Sequence, residues 1–206
     1  MSWWTPLFCG SCQGEKPGGL ALTDRGVELC RFTAESRLLD VASGSGETVR
    51  HLRARLGCEI QGLDRDPACQ SPDVTRGRVE QLPWEDGAFH GVLLECALSQ
   101  IEVPEQALRE CFRVLRPGGR LLLTDLYTRA GPGAQTPLGR LDSREGVERR
   151  LRDAGLEPIC FEDHTRALIQ LWAGALMSGT GEGLEKAAHA VQGVKWGYFL
   201  CIGEKV

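Results

Sequence analysis

From about Arg37 onward, short apolar runs alternate with stretches of helical periodicity along the chain. The runs are rich in Leu, Val and Ile, as expected for strands that are buried on both faces of a sheet. Such an alternation favours an α/β fold in which helices cover both faces of a mostly parallel sheet. The six strands predicted from these runs are Arg37–Val41, Glu59–Asp64, Gly91–Glu95, Arg120–Asp125, Glu157–Phe161 and Lys195–Ile202.

Helices are predicted between these strands and on both sides of them. Pro104–Leu115 carries apolar residues at helical spacing and is stopped by Pro117-Gly118-Gly119. Residues 1–36 are expected to form an N-terminal extension, with Thr23 as the N-cap of a short helix. Residues 37–206 are expected to form one domain with a helical insertion at 164–193, which acts as a lid or oligomer contact or simply covers the sheet. The other predicted helices are Asp24–Phe32, Glu47–Leu56, one from Asp142 or Ser143 to Ala154, and Leu184–Val191.

Composition and charge exclude several classes of protein. Apolar residues make up 42% and charged residues 25% of the 206 residues, which is typical of a globular domain. A net charge of -4 without a basic stripe argues against nucleic acid as a partner. No run approaches the roughly 20 apolar residues of a membrane-spanning helix, and the N-terminus does not resemble a signal peptide. We therefore expect a cytoplasmic protein with no membrane partner, whose oligomeric state the sequence leaves open.

Nine cysteines are scattered through the chain, mostly in segments that read as buried strands and helices. Without a signal peptide, reduced thiols are the expected state. Cys9-x-x-Cys12, with Cys30 downstream, is the one possible metal constellation, since two thiolates at that spacing suit zinc. A structural zinc site needs four ligands and no fourth is obvious. We predict no bound metal, and a metal or redox role for these thiols is the alternative.

A loop of small residues, Ala42–Gly46, follows the first strand and precedes a helix. Small residues let a ligand approach the backbone closely, and the first amides of the helix can face a polar or anionic group. The second strand ends at Asp64, about 20 residues later, which is the interval between loop and ribose-binding acid in dinucleotide folds. Together the two features predict a nucleotide-like ligand above these strand ends. A tight turn and a solvated carboxylate are the alternative.

Four segments, in order along the chain, resemble the class I S-adenosylmethionine-dependent methyltransferases, particularly those of ubiquinone and menaquinone biosynthesis. The segments are Leu39–Gly46, Gly62–Asp64, Leu82–Phe89 and Leu108–Leu121. The resemblance covers about Arg37 to Tyr127. It implies a Rossmann-like, doubly wound sheet of seven mostly parallel strands with helices on both faces. It also implies S-adenosylmethionine as cofactor and methyl transfer to a small-molecule acceptor.

The resemblance further assigns cofactor contacts to individual positions. The methionine part would lie against the small-residue loop, the ribose against Asp64 and the adenine beside Arg65 and a backbone amide of the segment 78–80. Two positions depart from the family: Ala42 replaces the first glycine of the loop, and Arg78 replaces an acidic residue near the adenine. The implied contacts are Asp40, Ala42, Gly44, Gly46, Asp64, Arg65, Arg78, Val79, Glu80 and Glu95.

The reaction itself asks little of side chains, because the sulfonium already makes the methyl group electrophilic. Glu95, Asp125 and His164 lie at or just beyond strand ends, where open α/β sheets bind ligands, and are the candidate catalytic residues. A structural hydrogen-bonding role is the alternative for each. We predict the acceptor pocket between the strand ends that carry Glu95 and Asp125 and a helical cover that begins near His164.

Two rival functions remain open. A nicotinamide-dependent oxidoreductase would share the glycine loop, but its fingerprint expects a third small residue at position 49, where this chain has Val49. The other rival is an S-adenosylmethionine-binding accessory or regulatory protein that keeps the fold without turnover.

Overall fold

A seven-stranded sheet with the strand order β3-β2-β1-β4-β5-β9-β8 forms the centre of the protein. The computed structural model describes residues 16–69, 71–136, 139–177 and 195–206. The strands of this sheet are β1 (Arg37–Val41), β2 (Glu59–Asp64), β3 (Val74–Arg76), β4 (Phe89–Glu95), β5 (Leu115–Thr128), β8 (Leu156–Asp163) and β9 (Trp196–Lys205). Neighbours from β3 through β5 are parallel, whereas β9 runs antiparallel to β5 and to β8. The predicted seven-stranded, mostly parallel sheet is confirmed.

Five helices within the described residues cover the two faces of the sheet. They are α1 (Gly19–Cys30), α2 (Glu47–Leu56), α3 (Pro104–Val114), α4 (Arg144–Asp153) and α5 (Thr165–Met177). One core layer joins α3 and α4 to the sheet, and the other joins α1, α2 and α5 to its opposite face. None of these helices is long and apolar enough to cross a membrane.

Side chains alternate between the two core layers along each central strand. On β1, Leu38 faces the layer of α1 and α2, whereas Leu39 faces the layer of α3 and α4. On β4, Leu93 and Leu94 divide in the same way. All four are fully buried, and each such leucine contributes about 1.5–3 kcal/mol of hydrophobic stabilisation.

The N-terminal helix differs from the sequence prediction. α1 begins at Gly19, after Gly18 in a left-handed conformation, and ends where Arg31 adopts φ 56°. Thr23 was expected to cap this helix but lies fully buried inside it, and its hydroxyl contacts other side chains. α1 packs into the core through Val27 and Cys30, so the extension predicted for residues 1–36 is part of the same core where the structure describes it.

Several short regular elements were not predicted. Pro67 and Pro72 leave little room between β2 and β3, and the described residues there form only a 3-10 turn, Pro67–Cys69, before the three-residue strand β3. After β5, residues for which no strand was predicted form the hairpin of β6 (Ala134–Thr136) and β7 (Gly139–Leu141). The cap of α4 is Ser143, whose hydroxyl accepts a hydrogen bond from the Gly146 amide at 3.2 Å. The helix predicted at Leu184–Val191 lies outside the described residues.

The cysteines are mostly buried thiols with little reactivity. Free thiols are found at Cys30, Cys58, Cys111, Cys160 and Cys201. Burial raises the pKa of Cys30, Cys111 and Cys201 to about 12, so these thiols are protonated at neutral pH. The expectation of reduced thiols is wrong at Cys69, which is disulfide-bonded. No group of three or more possible metal ligands occurs in the described ranges. Cys9 and Cys12 lie outside them, so the absence of metal stays a prediction.

Candidate active site

The carboxyl ends of the parallel strands bring most of the predicted site residues to one edge of the sheet. In the ladder, Asp40 of β1 lies beside Gly62 of β2 and Leu93 of β4. Glu95 of β4 lies beside Thr124 of β5, one residue before Asp125. Open α/β sheets bind ligands at this edge, which makes it the candidate active site.

Asp64 connects the end of β2 to the small-residue loop that follows β1. Its Oδ2 accepts a hydrogen bond from the Gly44 amide at 2.8 Å, and its Oδ1 accepts one from the Asp66 amide at 2.9 Å. Each carboxylate oxygen has a second lone pair, so the group can still accept hydrogen bonds from the hydroxyls of a ligand. The pairing predicted from the spacing of Gly44 and Asp64 is therefore present as a direct contact.

The loop itself has the shape of a cradle for a ligand. A Cβ added to Gly62 would lie 2.8 Å from the Ser43 Oγ, and one added to Gly46 would lie 2.8 Å from a Val74 methyl group. The Ser43 hydroxyl is buried and has no hydrogen-bond partner within the described residues. Gly44, in contrast, meets nothing within 4 Å on its open side. An unpartnered hydroxyl and an open glycine are the features expected where a polar ligand approaches the backbone.

Backbone strain marks the ends of two neighbouring strands. Ala42 after β1 and Cys96 after β4 both have φ 56°, in the left-handed region. This conformation costs a residue with a Cβ about 1–2 kcal/mol, and such strain clusters at functional sites. Ala42 therefore adopts the backbone conformation that favours the glycine it replaces, and the loop keeps its shape at that cost.

A buried ion pair that the sequence does not predict lies behind the loop. The Lys16 ammonium donates to Glu95 Oε2 at 2.5 Å, to the Thr23 Oγ1 at 2.6 Å and to the Thr48 Oγ1 at 2.8 Å, which uses all three of its protons. Thr23 in turn donates to Glu95 Oε1 at 3.0 Å. Burial alone would lower the pKa of Lys16, but the charge and hydrogen bond of Glu95 outweigh it and raise that pKa. The pair joins the segment before α1 to β4 and α2.

Asp40 lies beside this pair and is almost completely buried, with 3% of its surface exposed. Burial, followed by the negative charge of Glu95, raises the pKa of Asp40 well above its ordinary value, and the Lys16 ammonium opposes that rise. The family resemblance assigned Asp40 to the methionine part of the cofactor and Glu95 to the place where cofactor and acceptor meet. The structure places both on the side of the sheet that α1 and α2 cover, behind the loop.

A pocket of about 610 Å³ opens on the other side, above the ends of β4 and β5. Asp125 lines it and accepts hydrogen bonds from the Ser99 amide at 2.7 Å, the Ser99 hydroxyl at 2.9 Å and the Leu126 amide at 2.6 Å. Burial raises the pKa of Asp125 to about 6 despite these bonds. The lining of this pocket includes Arg65, Ser99, Glu105, Asp125, Arg140 and Asp142.

The segment predicted to contact the adenine, residues 78–80, lies at the margin of the site. Arg78 forms an ion pair with Glu80 at 2.9 Å, and Val79 between them is buried. Arg78 also approaches Glu102, which lines the pocket, at 3.6 Å. The predicted adenine segment thus lies beside the pocket, with the Glu80 carboxylate already held by Arg78.

His164 lies apart from the other candidates. Its Nε2 contacts the Glu162 carboxylate at 3.0 Å, and its backbone amide donates to the Tyr198 carbonyl. Neither His164 nor Glu95 is among the described residues that line the 610 Å³ pocket. In α5, which follows His164, the fully buried Leu168 packs in the layer of α1 and α2. Of the three candidate catalytic residues, only Asp125 faces the pocket.

Comparison with known proteins agrees with this geometry. Residues 39–123 match the family described as a methyltransferase domain. A sarcosine/dimethylglycine N-methyltransferase of Halorhodospira halochloris is 29% identical over 167 residues, which are 65% of this chain and 56% of that protein. A demethylmenaquinone methyltransferase of Thermus thermophilus is 33% identical over 116 residues, 49% of this chain and 52% of that protein. The chain thus spans about half the length of these curated relatives.

Solved structures show the same fold. The geranyl diphosphate C-methyltransferase of Streptomyces coelicolor A3(2) superposes with a TM-score of 0.79 at 17% identity, over 91% of this chain and 78% of that one. The [4+2]-cyclase SpnF superposes with a TM-score of 0.77 at 23% identity, over 97% of this chain and 86% of that one.

The sheet order, the loop after β1 and Asp64 at the end of β2 define a Rossmann-like α/β protein that binds a nucleotide-type cofactor at its strand ends. Residues 39–123, which include this loop and Asp64, match a methyltransferase domain, so this part of the chain has the features of a class I S-adenosylmethionine-dependent methyltransferase. The cofactor of this family is S-adenosylmethionine. The residues present fit it, because the loop offers an open glycine and an unpartnered Ser43 hydroxyl beside the Asp64 carboxylate.

Proposed function

We propose that this protein transfers a methyl group from S-adenosylmethionine to a small-molecule acceptor held in the 610 Å³ pocket. The observation that carries the proposal is the contact of Asp64 with the Gly44 amide, which places a carboxylate and an open backbone loop side by side at the strand ends. The related proteins support a small acceptor, since those named above act on sarcosine or dimethylglycine, on demethylmenaquinone and on geranyl diphosphate.

Roles for the residues follow from their positions. The loop 42–46 would hold the methionine end of the cofactor, Asp64 its ribose, and Arg65 with the segment 78–80 its adenine. When bound, S-adenosylmethionine supplies a methyl group that is already electrophilic. The chain then has to orient the acceptor and exclude water from it.

The acceptor side of the site is proposed to lie at Asp125. This carboxylate faces the pocket, and through Ser99 it also fixes the turn that follows β4. With a pKa of about 6, it is mostly ionised at neutral pH and can accept a proton from an acceptor within reach. Glu95 would act as a positioning residue behind the loop, because its carboxylate already contacts Lys16 and Thr23.

Binding and turnover are tested separately. Calorimetry with S-adenosylhomocysteine is expected to show one saturable site with micromolar affinity, and reduced nicotinamide cofactors are expected to give no heat. Incubation with S-adenosylmethionine carrying a labelled methyl group and with fractionated metabolites is then expected to label a small molecule. Saturable binding of a nicotinamide cofactor without binding of S-adenosylhomocysteine would overturn the assignment.

A second candidate is a protein that binds S-adenosylmethionine without transferring its methyl group. The observation that favours it is the likeness to the [4+2]-cyclase SpnF, which shares this fold. Stoichiometric binding of S-adenosylhomocysteine, together with no labelled product from any metabolite fraction, would favour this candidate over methyl transfer.

A further inference from the structure

A second, smaller cavity of about 190 Å³ lies next to the 610 Å³ pocket and is rich in arginine. Glu105 and Arg140 line both cavities, so the two are neighbours that share a wall. Three elements contribute: Arg109 from α3, Arg140 from β7, and two arginines from α4. The lining consists of Glu105, Arg109, Arg140, Arg149, Arg150, Asp153 and Ala154.

Arg150 belongs to the wall of this cavity rather than to its binding surface. Its side chain is 8% exposed, its Nε donates to Asp142 at 2.5 Å, and its Nη1 donates to Glu105. Two carboxylates therefore neutralise this guanidinium, and the buried group is anchored between α3 and the end of β7. The same carboxylates line the larger pocket.

The other three arginines have few close ionic partners, and beside Glu105 the carboxylate of Asp153 is the further acidic group in the described lining of the cavity. Arg109 bonds only to the neutral Gln106 amide oxygen, at 3.2 and 3.3 Å. Arg149 has no hydrogen bond or ion pair within the described residues, and Arg140 approaches Asp142 only at 3.4 Å. Asp142 is already bonded to Arg150. Three exposed arginines with few ionic partners thus line one cavity in a protein whose net charge is -4.

We propose that this arginine cavity, defined by Arg109, Arg140 and Arg149, binds an anionic group of the methyl acceptor, a phosphate or a carboxylate. Guanidinium groups bind both through paired, charge-assisted hydrogen bonds. Arg140 lies on both cavities, so an acceptor anchored there extends into the larger pocket toward Asp125. The inference rests on the proposed function and deepens it, because it assigns the acceptor to the class of anionic small molecules.

Simple anions and single substitutions test this assignment. Inorganic pyrophosphate and succinate, titrated at constant ionic strength, serve as phosphate and carboxylate probes and are followed by the side-chain Nε–H signals of the arginines in ¹H–¹⁵N NMR spectra. At least one probe is expected to shift the signals of Arg109, Arg140 and Arg149 saturably. Arg140→Gln and Arg149→Gln are each expected to weaken its binding about tenfold or more, the loss of one charge-assisted contact. The probe that binds distinguishes a phosphate from a carboxylate acceptor.

Arg152→Gln is the matched control, since it also removes one exposed charge from α4. Arg152 pairs with Glu148 and Glu157 and is not among the described residues that line the cavity. Equal weakening in the control, or saturation by neither probe, would overturn the proposal. The dissociation constant of S-adenosylhomocysteine is expected to stay unchanged in all three variants. Absence of S-adenosylhomocysteine binding by the wild-type protein would instead refute the proposed function.

Discussion

The buried pair of Lys16 and Glu95 offers the sharpest test of how the N-terminal segment is held on the domain. Lys16→Met removes the ammonium while keeping much of the side-chain volume. The two side chains are 15% and 6% exposed, so the carboxylate left behind has little access to water. Thr23 still donates a hydrogen bond to Glu95 at 3.0 Å, which compensates only part of the lost interaction with the ammonium.

The expected destabilisation follows from this burial. Removing one partner of a buried ion pair costs about 3–5 kcal/mol, because the other charge is left uncompensated. With the Thr23 bond retained, we expect the lower end, about 3 kcal/mol in the free energy of unfolding. For a domain of this size that lowers Tm by about 6–12 °C. When Glu95→Gln is combined with Lys16→Met, the uncompensated carboxylate charge is removed. The double variant is therefore expected to recover at least half of the lost free energy of unfolding.

Urea unfolding of wild type, both single variants and the double variant completes a double-mutant cycle. A coupling energy of at least about 1.5 kcal/mol is expected, because the double variant recovers at least half of the roughly 3 kcal/mol that Lys16→Met loses. The pKa of Lys16 in the folded protein is raised above the ordinary 10.5, so its contribution is fully present below pH 10.5 and is lost as pH rises through the folded pKa. On the alkaline side, the stability gap between wild type and Lys16→Met should therefore narrow only above pH 10.5.

Two results would refute this reasoning. A coupling energy near zero would show that the pair contributes no more than a solvated surface contact. A gap that begins to narrow between neutral pH and about pH 10 would show that the ammonium of Lys16 is not the group whose titration sets it.

Three further predictions concern the strand ends. Asp64→Ala is expected to weaken S-adenosylhomocysteine binding by about 1.5–3 kcal/mol, or roughly 10 to 150 fold, in calorimetry; an unchanged dissociation constant in the folded variant would make Asp64 a mere surface acid. Ala42→Gly is expected to raise the free energy of unfolding by about 0.5–1 kcal/mol, because the backbone strain relieved at φ 56° exceeds the entropic cost of ordering a glycine. A lower free energy of unfolding in urea would contradict this. The NMR signal of the Asp125 carboxyl carbon is expected to titrate near pH 6. Because the folded state holds this proton more tightly than the unfolded state, the free energy of unfolding is expected to fall as pH rises from about 4 through 6. A midpoint below about pH 4 would contradict burial as the cause of the raised pKa.

The fold could be predicted from the sequence almost completely, because buried parallel strands have a distinctive composition. β1, β2 and β4 are short apolar runs, and each lies where the sequence placed it to within two residues. β3 was missed, since only Val74 of its three residues is buried and no apolar run marks it. The β6–β7 hairpin was likewise hidden in a segment of glycine and proline.

The candidate site was predictable where its parts follow consecutive strands. Gly44 and Asp64 are such a pair, and their contact is the one that the spacing indicated. Lys16 carried no such signal, because its partners Thr23, Thr48 and Glu95 come from three elements and lie up to 79 residues away. The arginine cavity could not be predicted either, because its arginines come from three elements that are separate in the sequence.

The sequence by itself determined the α/β class, the cofactor loop and the acid at the end of β2, since each depends on local composition and spacing. It could not distinguish Glu95 from Asp125, which both end apolar runs. The tertiary structure separates them, because Glu95 lies in register with Thr124 and Asp125 is the next residue along β5. Successive side chains of a strand point to opposite faces of the sheet. One carboxylate is therefore buried against Lys16, and the other faces the pocket.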